Sequence, residues 1–409
     1  MRLWLLHFLF GISSGLPYLL TGSTLQAWMT EQHVDLKAIG LFVLVRVPYN
    51  FKFIWAPFID KIKPPFLTRR RGWMIVIQLF LMATLLGLGF SNPAGDPFRV
   101  ALFALLVCFF SASQDIVIDA YRTESLDDKK LGLATSANST GYRVGMLMAG
   151  GMALYILDHF HFSWAGIYAL MAALVTVGMV AALIAPEPPE ETRLAPKTMK
   201  EAAIDPFLDF FKRPNAIWLL TFILFFKFGD NLAGAMTTPF ILSSGYTKTE
   251  YAFVAKGAGF LAIIIGGVLG GPFMLRLGII RSLWVFSVGQ AIAVAAFAWL
   301  ARIPHSVNAL SVVIMSENFF IGCGAAAFSA FISSITNKKF SATQFALLTS
   351  FMALSSTILS TPSGYMAEKL GWQNYFIVCA LLAVPGFLML FKIQQIWKEG
   401  VQPAPKIDL

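Results

Sequence analysis

Charge is scarce in this 409-residue sequence, and no polar segment is long enough to form a soluble domain. Only 13% of the residues are charged, about half the fraction usual in a globular domain, which argues against a soluble enzyme. No glycine-rich phosphate loop with its lysine is present in a soluble setting, so an ATP-driven pump is not indicated. The net charge of +9 is not gathered into a basic cluster interleaved with aromatic residues, and we therefore expect no nucleic-acid partner.

Cysteine is also scarce. Cys108, Cys323 and Cys379 all lie in apolar stretches, and none has a CxxC partner or a nearby histidine. The sequence therefore predicts neither a disulfide framework nor a zinc site. The five histidines form no ligand set. We expect buried thiols that pack as small apolar groups, no bound metal and no cofactor.

Long apolar stretches fill most of the chain instead. Apolar residues make up 57% of it, and the mean hydropathy is +0.69. A helix needs about 20 apolar residues to span the hydrocarbon of a bilayer, and twelve stretches have roughly this length. The predicted fold is therefore all-α and polytopic, with twelve transmembrane helices in two six-helix bundles. The predicted spans, numbered first to twelfth, are 3–29, 39–60, 72–90, 98–120, 132–157, 164–185, 214–242, 250–274, 282–301, 309–335, 345–366 and 373–393.

The connections between the spans differ in their content of lysine and arginine. The side that carries Arg2, the linker between the sixth and seventh spans and the C-terminal tail holds 21 of these residues, and the opposite side holds five. Positively charged connections tend to stay in the cytoplasm. We therefore expect both termini to be cytoplasmic.

The connection between the sixth and seventh spans is rich in proline and in charges of both signs. Its latter part is either an amphipathic surface helix or a simple tether. Ala56-Pro57-Phe58 ends the second span and Gly271-Pro272-Phe273 ends the eighth, and such echoes indicate repeated halves, as in a major-facilitator-type transporter. The predicted regions are an N-terminal bundle (1–185), a cytoplasmic linker (186–213), a C-terminal bundle (214–393) and a cytoplasmic tail (394–409).

Ionisable residues inside the spans are candidates for function, because each costs about 2.5–3.5 kcal/mol at a helix centre on insertion scales. Asp115 and Asp119 are four residues apart and project from one face of the fourth span. A carboxylate in a partly dry cavity keeps a proton more readily, and a nearby arginine opposes this. We predict that Asp115, paired with Arg143 or Arg46 in one state only, couples transport to protons, with Asp119 as a second candidate. The alternative is a permanent structural ion pair.

The second half has its own charged residues. Lys227 and Asp230 are three apart on the seventh span, with Asn231 beside them, and they either face substrate or neutralise each other during insertion. Glu317 in the tenth span has no partner within its helix and is an alternative proton site. Basic groups would meet the carboxylates of a charged solute, and Asp230 or Glu317 would meet an amine. The predicted substrate contacts are Arg46, Tyr49, Gln114, Tyr142, Arg143, Lys227, Asp230, Asn231 and Lys256.

The connection between the second and third spans carries a further pattern. Asp60 ends one helix, and Arg69, Arg70 and Arg71 begin the next. An acid and arginines so placed can form a cytoplasmic gate that breaks during transport. The alternative is that the arginines only set the topology.

Several motifs resemble the AmpG muropeptide permease family of the major facilitator superfamily. They run from the first span to the twelfth, so the resemblance covers nearly the whole chain. The matching segments are Thr24-Leu25-Gln26-Ala27-Trp28-Met29, Arg69-Arg70-Arg71-Gly72-Trp73, Ser111-Ala112-Ser113-Gln114-Asp115-Ile116-Val117, Gly141-Tyr142-Arg143, Lys339-Phe340-Ser341-Ala342-Thr343-Gln344-Phe345-Ala346-Leu347-Leu348 and Val384-Pro385-Gly386.

The resemblance implies a bacterial inner-membrane importer. Members carry N-acetylglucosaminyl-1,6-anhydro-N-acetylmuramyl peptides into the cytoplasm with protons, for peptidoglycan recycling, and in many species this feeds beta-lactamase induction. It also implies that the matched polar residues Gln114, Asp115, Tyr142 and Arg143 are functional. We expect a monomer in the lipid bilayer. Some members have a longer C-terminal region, and related carriers move siderophores or acetyl-CoA, so another charged organic solute is the alternative substrate.

Two other classes of function are weighed against transport. A membrane-embedded acyltransferase would need a convergent His/Asp or Cys/His set, which the sequence lacks. A membrane scaffold would have no reason to bury Arg143 or Glu317. We therefore expect a transporter and not an enzyme.

Overall fold

The computed structural model describes residues 2–34, 42–188, 196, 198–360 and 362–398, and all regular secondary structure among them is helical. Within these ranges nine helical segments are long and apolar enough to cross a bilayer. The predicted all-α membrane fold is thus confirmed. The nine segments are Leu3–Glu31, Arg69–Gly89, Pro97–Ser125, Trp164–Ile184, Ala216–Ser243, Phe253–Leu277, Ile279–Leu300, Val307–Ile335 and Ser363–Ile396.

The second predicted span is not one continuous helix in its described part. It consists of four short helical pieces: the 3-10 turns Phe42–Arg46 and Lys52–Ile54 and the α-helices Pro48–Phe51 and Ala56–Lys61. Pro48 and Pro57 each lie at the start of an α-helical piece. Proline has no backbone N–H and blocks the preceding helical turn, which explains the breaks. Arg46 and Lys52 therefore lie in 3-10 turns, and Tyr49 lies in the short α-helix between them.

The first, seventh and twelfth predicted spans are also interrupted. The first consists of Arg2–Leu20 and Ser23–Glu31, and the seventh of Ala216–Phe225 and Phe228–Ser243, with Lys227 at the break. The eleventh begins as Ser341–Ser360. The next helix, Ser363–Leu381, changes direction at Gly371, whose φ of +69° suits a residue without a Cβ. The twelfth span is interrupted after Leu381 and continues as Val384–Lys398.

Two spans contain a π-helical turn. The fifth runs as Asp128–Leu147, the π-turn Met148–Met152 and Ala153–His159, and the eighth as Lys248–Tyr251, the π-turn Ala252–Ala258 and Gly259–Leu277. A π-turn inserts an extra residue and frequently marks a functional position in a helix. The connecting region between the sixth and seventh spans contains two short helices, Met199–Ala203 and Asp205–Phe211.

The chain forms two compact units, described here separately. Unit 1 comprises Met1–Asp127, Ala137–Phe207 and Thr336–Ser350, and unit 2 comprises Asp128–Ser136, Leu208–Ile335 and Phe351–Leu409. Each has its own apolar core: Leu81, Leu85 and Met171 are fully buried in unit 1, and Phe240 and Phe297 in unit 2. Unit 1 therefore includes a short segment from late in the sequence, which carries part of the site.

Glycines bring the first and fifth spans into backbone contact within unit 1. A Cβ added at Gly15 would lie 2.0 Å from the carbonyl oxygen of Tyr142, and one at Gly141 would lie 2.0 Å from that of Phe8. A Cβ added at Gly145 would lie 2.3 Å from the carbonyl oxygen of Ile12. These close approaches form a packing seam between the first and fifth spans and fix the register of the first span.

Candidate functional site

Asp115 lies on the helix Pro97–Ser125 and accepts a hydrogen bond from the hydroxyl of Ser14 in the first span. The next pair along both helices repeats the contact, because Ser13 Oγ donates to Gln114 Oε1 at 3.3 Å. Two adjacent residues of one helix are thus bonded to two adjacent residues of the other. The carboxylate is held by a neutral donor.

Gln114 is fully buried inside unit 1. Ser13 Oγ also accepts a hydrogen bond from Gln78 Nε2 at 3.2 Å, so one hydroxyl joins two glutamines. Gly178 leaves room for this group, since a Cβ there would lie 2.2 Å from Gln78 Nε2. Gln114 thus links its helix to the first span through a buried hydrogen bond.

Asp119, one turn after Asp115, is already paired. Its Oδ1 accepts a hydrogen bond from Arg122 Nη2 at 2.7 Å, and Arg122 is almost completely buried. Arg122 also donates to Asn138 Oδ1 at 3.4 Å and lies over the ring of Phe345. The geometry of Asp119 is that of a structural ion pair in this state.

A guanidinium and three tyrosines form an aromatic group near Asp115. Arg46 lies over the ring of Tyr18 at 3.8 Å and donates to the Tyr18 carbonyl at 3.2 Å. The Tyr18 ring centroid is 5.9 Å from that of Tyr49 and 6.1 Å from that of Tyr142. These four side chains offer a cation and flat ring faces, which suit a solute with carboxylates and sugar rings.

Arg143 follows Tyr142 in the fifth span and is half-buried. Its Nε is buried without a hydrogen-bond partner in the described part of the chain. No ion pair there joins Asp115 to Arg143 or to Arg46. The cation of the second span that interacts electrostatically with Asp115 is Lys52, which sequence reasoning did not include in the site.

Unit 2 places three of the predicted polar residues near one another. Lys227 is the N-cap residue of the helix Phe228–Ser243, and Asp230 and Asn231 lie in its first turn, where the helix N-terminus favours a negative charge. Glu317 is only 4% exposed, has no ion pair among the described residues and interacts electrostatically with Asp230. Lys256 lies on the π-turn Ala252–Ala258, and its side chain is outside the described residues.

A buried charged cluster, here named the latch, joins distant segments of unit 1. Arg70 Nη2 contacts Asp60 Oδ1 at 2.6 Å and Glu124 Oε1 at 2.5 Å. Arg69 Nη2 donates to the same Glu124 oxygen at 3.1 Å and its Nη1 to the Asp60 carbonyl at 2.6 Å. Ser341 Oγ donates to Glu124 Oε1 at 2.6 Å. All five side chains are buried, so the ionic contacts are shielded from water.

Asp60 also binds the beginning of the helix Ser341–Ser360. Its Oδ2 accepts hydrogen bonds from the backbone N–H of Thr343 at 2.8 Å and from the Thr343 hydroxyl at 2.7 Å. Its Oδ1 accepts a weaker one from the N–H of Ala342 at 3.3 Å. A carboxylate from another helix thus takes the place of a local cap, and the helix dipole strengthens the contact.

Arg71 does not join the latch. Its Nε and Nη2 donate to the carbonyl oxygens of Ala182 and Leu183, at 2.9 and 2.6 Å, and its Nη1 lies 3.7 Å from Glu187. Three consecutive residues of a helix point about 100° apart, so Arg71 reaches the end of the sixth span while Arg69 and Arg70 reach Asp60. Its contacts are those of a C-terminal helix cap.

Sequence reasoning did not include several residues that the structure brings into these clusters. Ser14 and Tyr18 had no distinguishing signal, because a serine and a tyrosine in an apolar span are common. Glu124 was counted in a connection. Ser341 and Thr343 lie in the segment Lys339–Leu348, whose resemblance to the family is the sequence signal for them.

Comparisons with known proteins agree with this architecture. The sequence profile described as Major Facilitator Superfamily matches residues 3–317. The anhydromuropeptide permease of Escherichia coli (strain K12) is 39% identical over 386 residues, covering 94% of this chain and 78% of that protein. The chain belongs to the AmpG-type permease family of the major facilitator superfamily. A family member from Rickettsia conorii, named AmpG 4, is 34% identical over 390 residues and 94% of each chain.

Solved structures support the major facilitator fold of this family member. The proton:xylose symporter XylE bound to 6-bromo-6-deoxy-D-glucose has a TM-score of 0.72 at 13% identity, over 96% of this chain and 94% of that one. A bacterial homologue of the iron transporter ferroportin, in its outward-facing state, has a TM-score of 0.71 at 13% identity, over 96% and 98%. At these identities the likeness concerns the fold. The expectations of a twelve-helix transporter fold and of transport over catalysis are confirmed by the family.

Proposed function

We propose that this AmpG-type permease imports N-acetylglucosaminyl-1,6-anhydro-N-acetylmuramyl peptides from the periplasm to the cytoplasm for peptidoglycan recycling, by alternating access and together with protons. The observation that carries the substrate class is the 39% identity to the Escherichia coli anhydromuropeptide permease over 94% of the chain. It works as a monomer in the bacterial inner membrane, with both termini cytoplasmic, as the excess of basic residues on that side supports.

Proton coupling rests on Asp115. Its side chain is held by the hydroxyl of Ser14 and has no ion-pair partner among the described residues, unlike Asp119, which is bound to Arg122. A carboxyl group without a fixed counter-ion can gain and lose a proton as its surroundings change. Glu317, buried without a salt bridge in the described part of unit 2, is the alternative proton site.

In the proposed cycle, each unit contributes polar or aromatic groups to substrate binding. Arg143, with its unpartnered Nε, and Arg46 are positioned to bind carboxylates of the peptide. Tyr18, Tyr49 and Tyr142 provide ring faces for the sugars. In unit 2, Asp230 and Asn231 would accept hydrogen bonds from an amine of the peptide, and Lys227 and Lys256 would bind a further carboxylate.

The latch is the gate on the cytoplasmic side. In the proposed cycle, the contacts of Arg70 with Asp60 and Glu124, and of Asp60 with the start of the helix Ser341–Ser360, belong to the closed state of this gate. Removing one partner from a buried ionic cluster costs about 3–5 kcal/mol. In the proposed cycle, binding of the substrate and the proton supplies free energy of this order to open the gate. Opening therefore depends on both.

Uptake into vesicles tests the proposal directly. Membrane vesicles containing the protein are given labelled anhydromuropeptide with and without an inward proton gradient. We expect accumulation above the external concentration only with the gradient. A matched preparation with the exposed substitution Arg302→Gln should behave like the unaltered protein, since Arg302 lies at a helix end outside the site.

Competition defines the substrate class. Excess unlabelled anhydromuropeptide should abolish the uptake, whereas a ferric siderophore or coenzyme A should leave it unchanged. Equal accumulation with and without the gradient would contradict proton coupling. Loss of the signal on addition of a siderophore or coenzyme A, but not of anhydromuropeptide, would contradict the substrate assignment.

A further inference from the structure

Ser14 lies on the first span, directly against Asp115. It is 6% exposed, and its hydroxyl donates to Asp115 Oδ1 across 101 residues of sequence. The hydroxyl is the one side-chain donor that bonds this carboxylate among the described residues. Since Asp115 has no salt bridge there, a single neutral group determines how it is held.

The backbone around Ser14 is fixed on both sides. Gly11 and Gly15 bring the first span against the backbone of Asn138 and Tyr142, with added Cβ atoms at 2.1 and 2.0 Å from their carbonyl oxygens. Ser13, the preceding residue, bonds to Gln78 and Gln114. The first span therefore cannot rotate or slide without breaking these contacts, and the Ser14 hydroxyl is directed at Asp115.

The surroundings of Asp115 contain few other groups that could replace this hydrogen bond. The titratable and charged groups that face it are Lys52 and Tyr49 on the second span, Tyr142 on the fifth, and Asp119 and Arg122 on its own helix. Arg122 is bound to Asp119 at 2.7 Å. None of these forms an ion pair with Asp115 within the described residues.

We propose that Ser14 is a positioning residue for Asp115. The Ser14 hydroxyl stabilises the charged carboxylate of Asp115 in this state and so sets the pH above which that carboxyl group no longer carries a proton for transport. This inference rests on the proposed coupling role of Asp115. A hydrogen bond to a charged group is stronger than one to a neutral group. Without the hydrogen bond from Ser14, the carboxyl group of Asp115 should therefore keep its proton to higher pH.

The test measures initial rates of labelled anhydromuropeptide uptake against pH in reconstituted vesicles. For Ser14→Ala we expect the alkaline fall of the rate to move to higher pH by about one unit, a tenfold change in proton affinity. Ser14→Thr keeps a hydroxyl and should restore the profile toward that of the unaltered protein. Ser91→Ala is the matched control, because the Ser91 hydroxyl bonds only to the Gly87 carbonyl of its own helix.

A second measurement separates positioning from structure. This measurement is substrate exchange at equal pH on both sides, which does not require net proton transfer. Because Asp115→Asn removes the carboxylate on which Ser14 acts, adding Ser14→Ala to Asp115→Asn should change neither the rate of exchange nor the pH dependence of that rate. If Asp115→Asn abolishes coupling but Ser14→Ala leaves the pH profile unchanged, the proposed role of Ser14 is overturned while that of Asp115 stands. Normal coupling in Asp115→Asn would instead overturn the proposed function. A loss of exchange in both backgrounds would show a purely structural role for Ser14.

Discussion

Asp60 and Thr343, 283 residues apart in the sequence, are joined by two hydrogen bonds of 2.8 and 2.7 Å to one carboxylate oxygen. The contact binds the first turn of the helix Ser341–Ser360 to the end of the helix Ala56–Lys61. It lies in the same buried cluster as Arg70 and Glu124. The stability of the latch therefore depends on a few groups that can be changed singly.

Asp60→Ala should free the beginning of the helix Ser341–Ser360. Two backbone N–H groups, those of Ala342 and Thr343, lose their acceptor, and Arg70 loses one of its two acidic partners. We expect amide hydrogen exchange of residues 341–345 to accelerate at least tenfold. The control is Asp96→Ala, which removes an exposed cap from the helix Pro97–Ser125 and should leave exchange at 341–345 unchanged. Unaltered exchange in Asp60→Ala would contradict the latch.

Glu124→Gln should destabilise the protein more than Arg71→Ala. Glu124 is buried and accepts from Arg69, Arg70 and Ser341, so its neutralisation leaves two guanidinium groups with less compensation, at a cost of about 3–5 kcal/mol. Arg71 is less buried, and its bonds to two carbonyl oxygens are replaceable by water. Thermal unfolding in detergent compares the variants. Equal losses would show that Glu124 is no more important than an ordinary helix cap.

Glycine in the seam between the first and fifth spans should not tolerate a methyl group. A Cβ at Gly15 would lie 2.0 Å from a backbone oxygen of Tyr142, so Gly15→Ala must separate the helices and should cost more than about 2 kcal/mol. Gly234→Ala is the control, since its Cβ would meet nothing within 4 Å, and alanine in a helix is favourable. Yield of folded protein and thermal stability report both. A stable Gly15→Ala protein would contradict the close packing.

Some of these features could be predicted from the sequence and others could not. Hydropathy locates the apolar spans, because the signal for each span is local to that span. The breaks around Pro48 and Lys227 were missed, since a run of apolar residues does not show where the backbone is irregular. Ser14 and Thr343 reach their partners only through tertiary packing, and neither residue type is distinctive in an apolar helix.

Arg143→Gln should weaken substrate binding in the proposed cycle. Its Nε has no partner among the described residues, so the change breaks no ion pair and should leave folding intact. We expect the KM for anhydromuropeptide to rise at least tenfold, because one charge-assisted contact to a carboxylate is lost. Arg143→Lys should restore part of the affinity through charge without the planar geometry of guanidinium. An unchanged KM in Arg143→Gln would remove Arg143 from the substrate site.

The central claim is that Asp115 carries the proton, and proton movement driven by substrate tests it most directly. Purified protein is reconstituted into vesicles with no imposed pH gradient, anhydromuropeptide is added outside, and the external pH is followed. We predict alkalinisation of the medium by the unaltered protein and none by Asp115→Asn, although that variant still exchanges labelled for unlabelled substrate. Alkalinisation by Asp115→Asn at the rate of the unaltered protein would contradict the account.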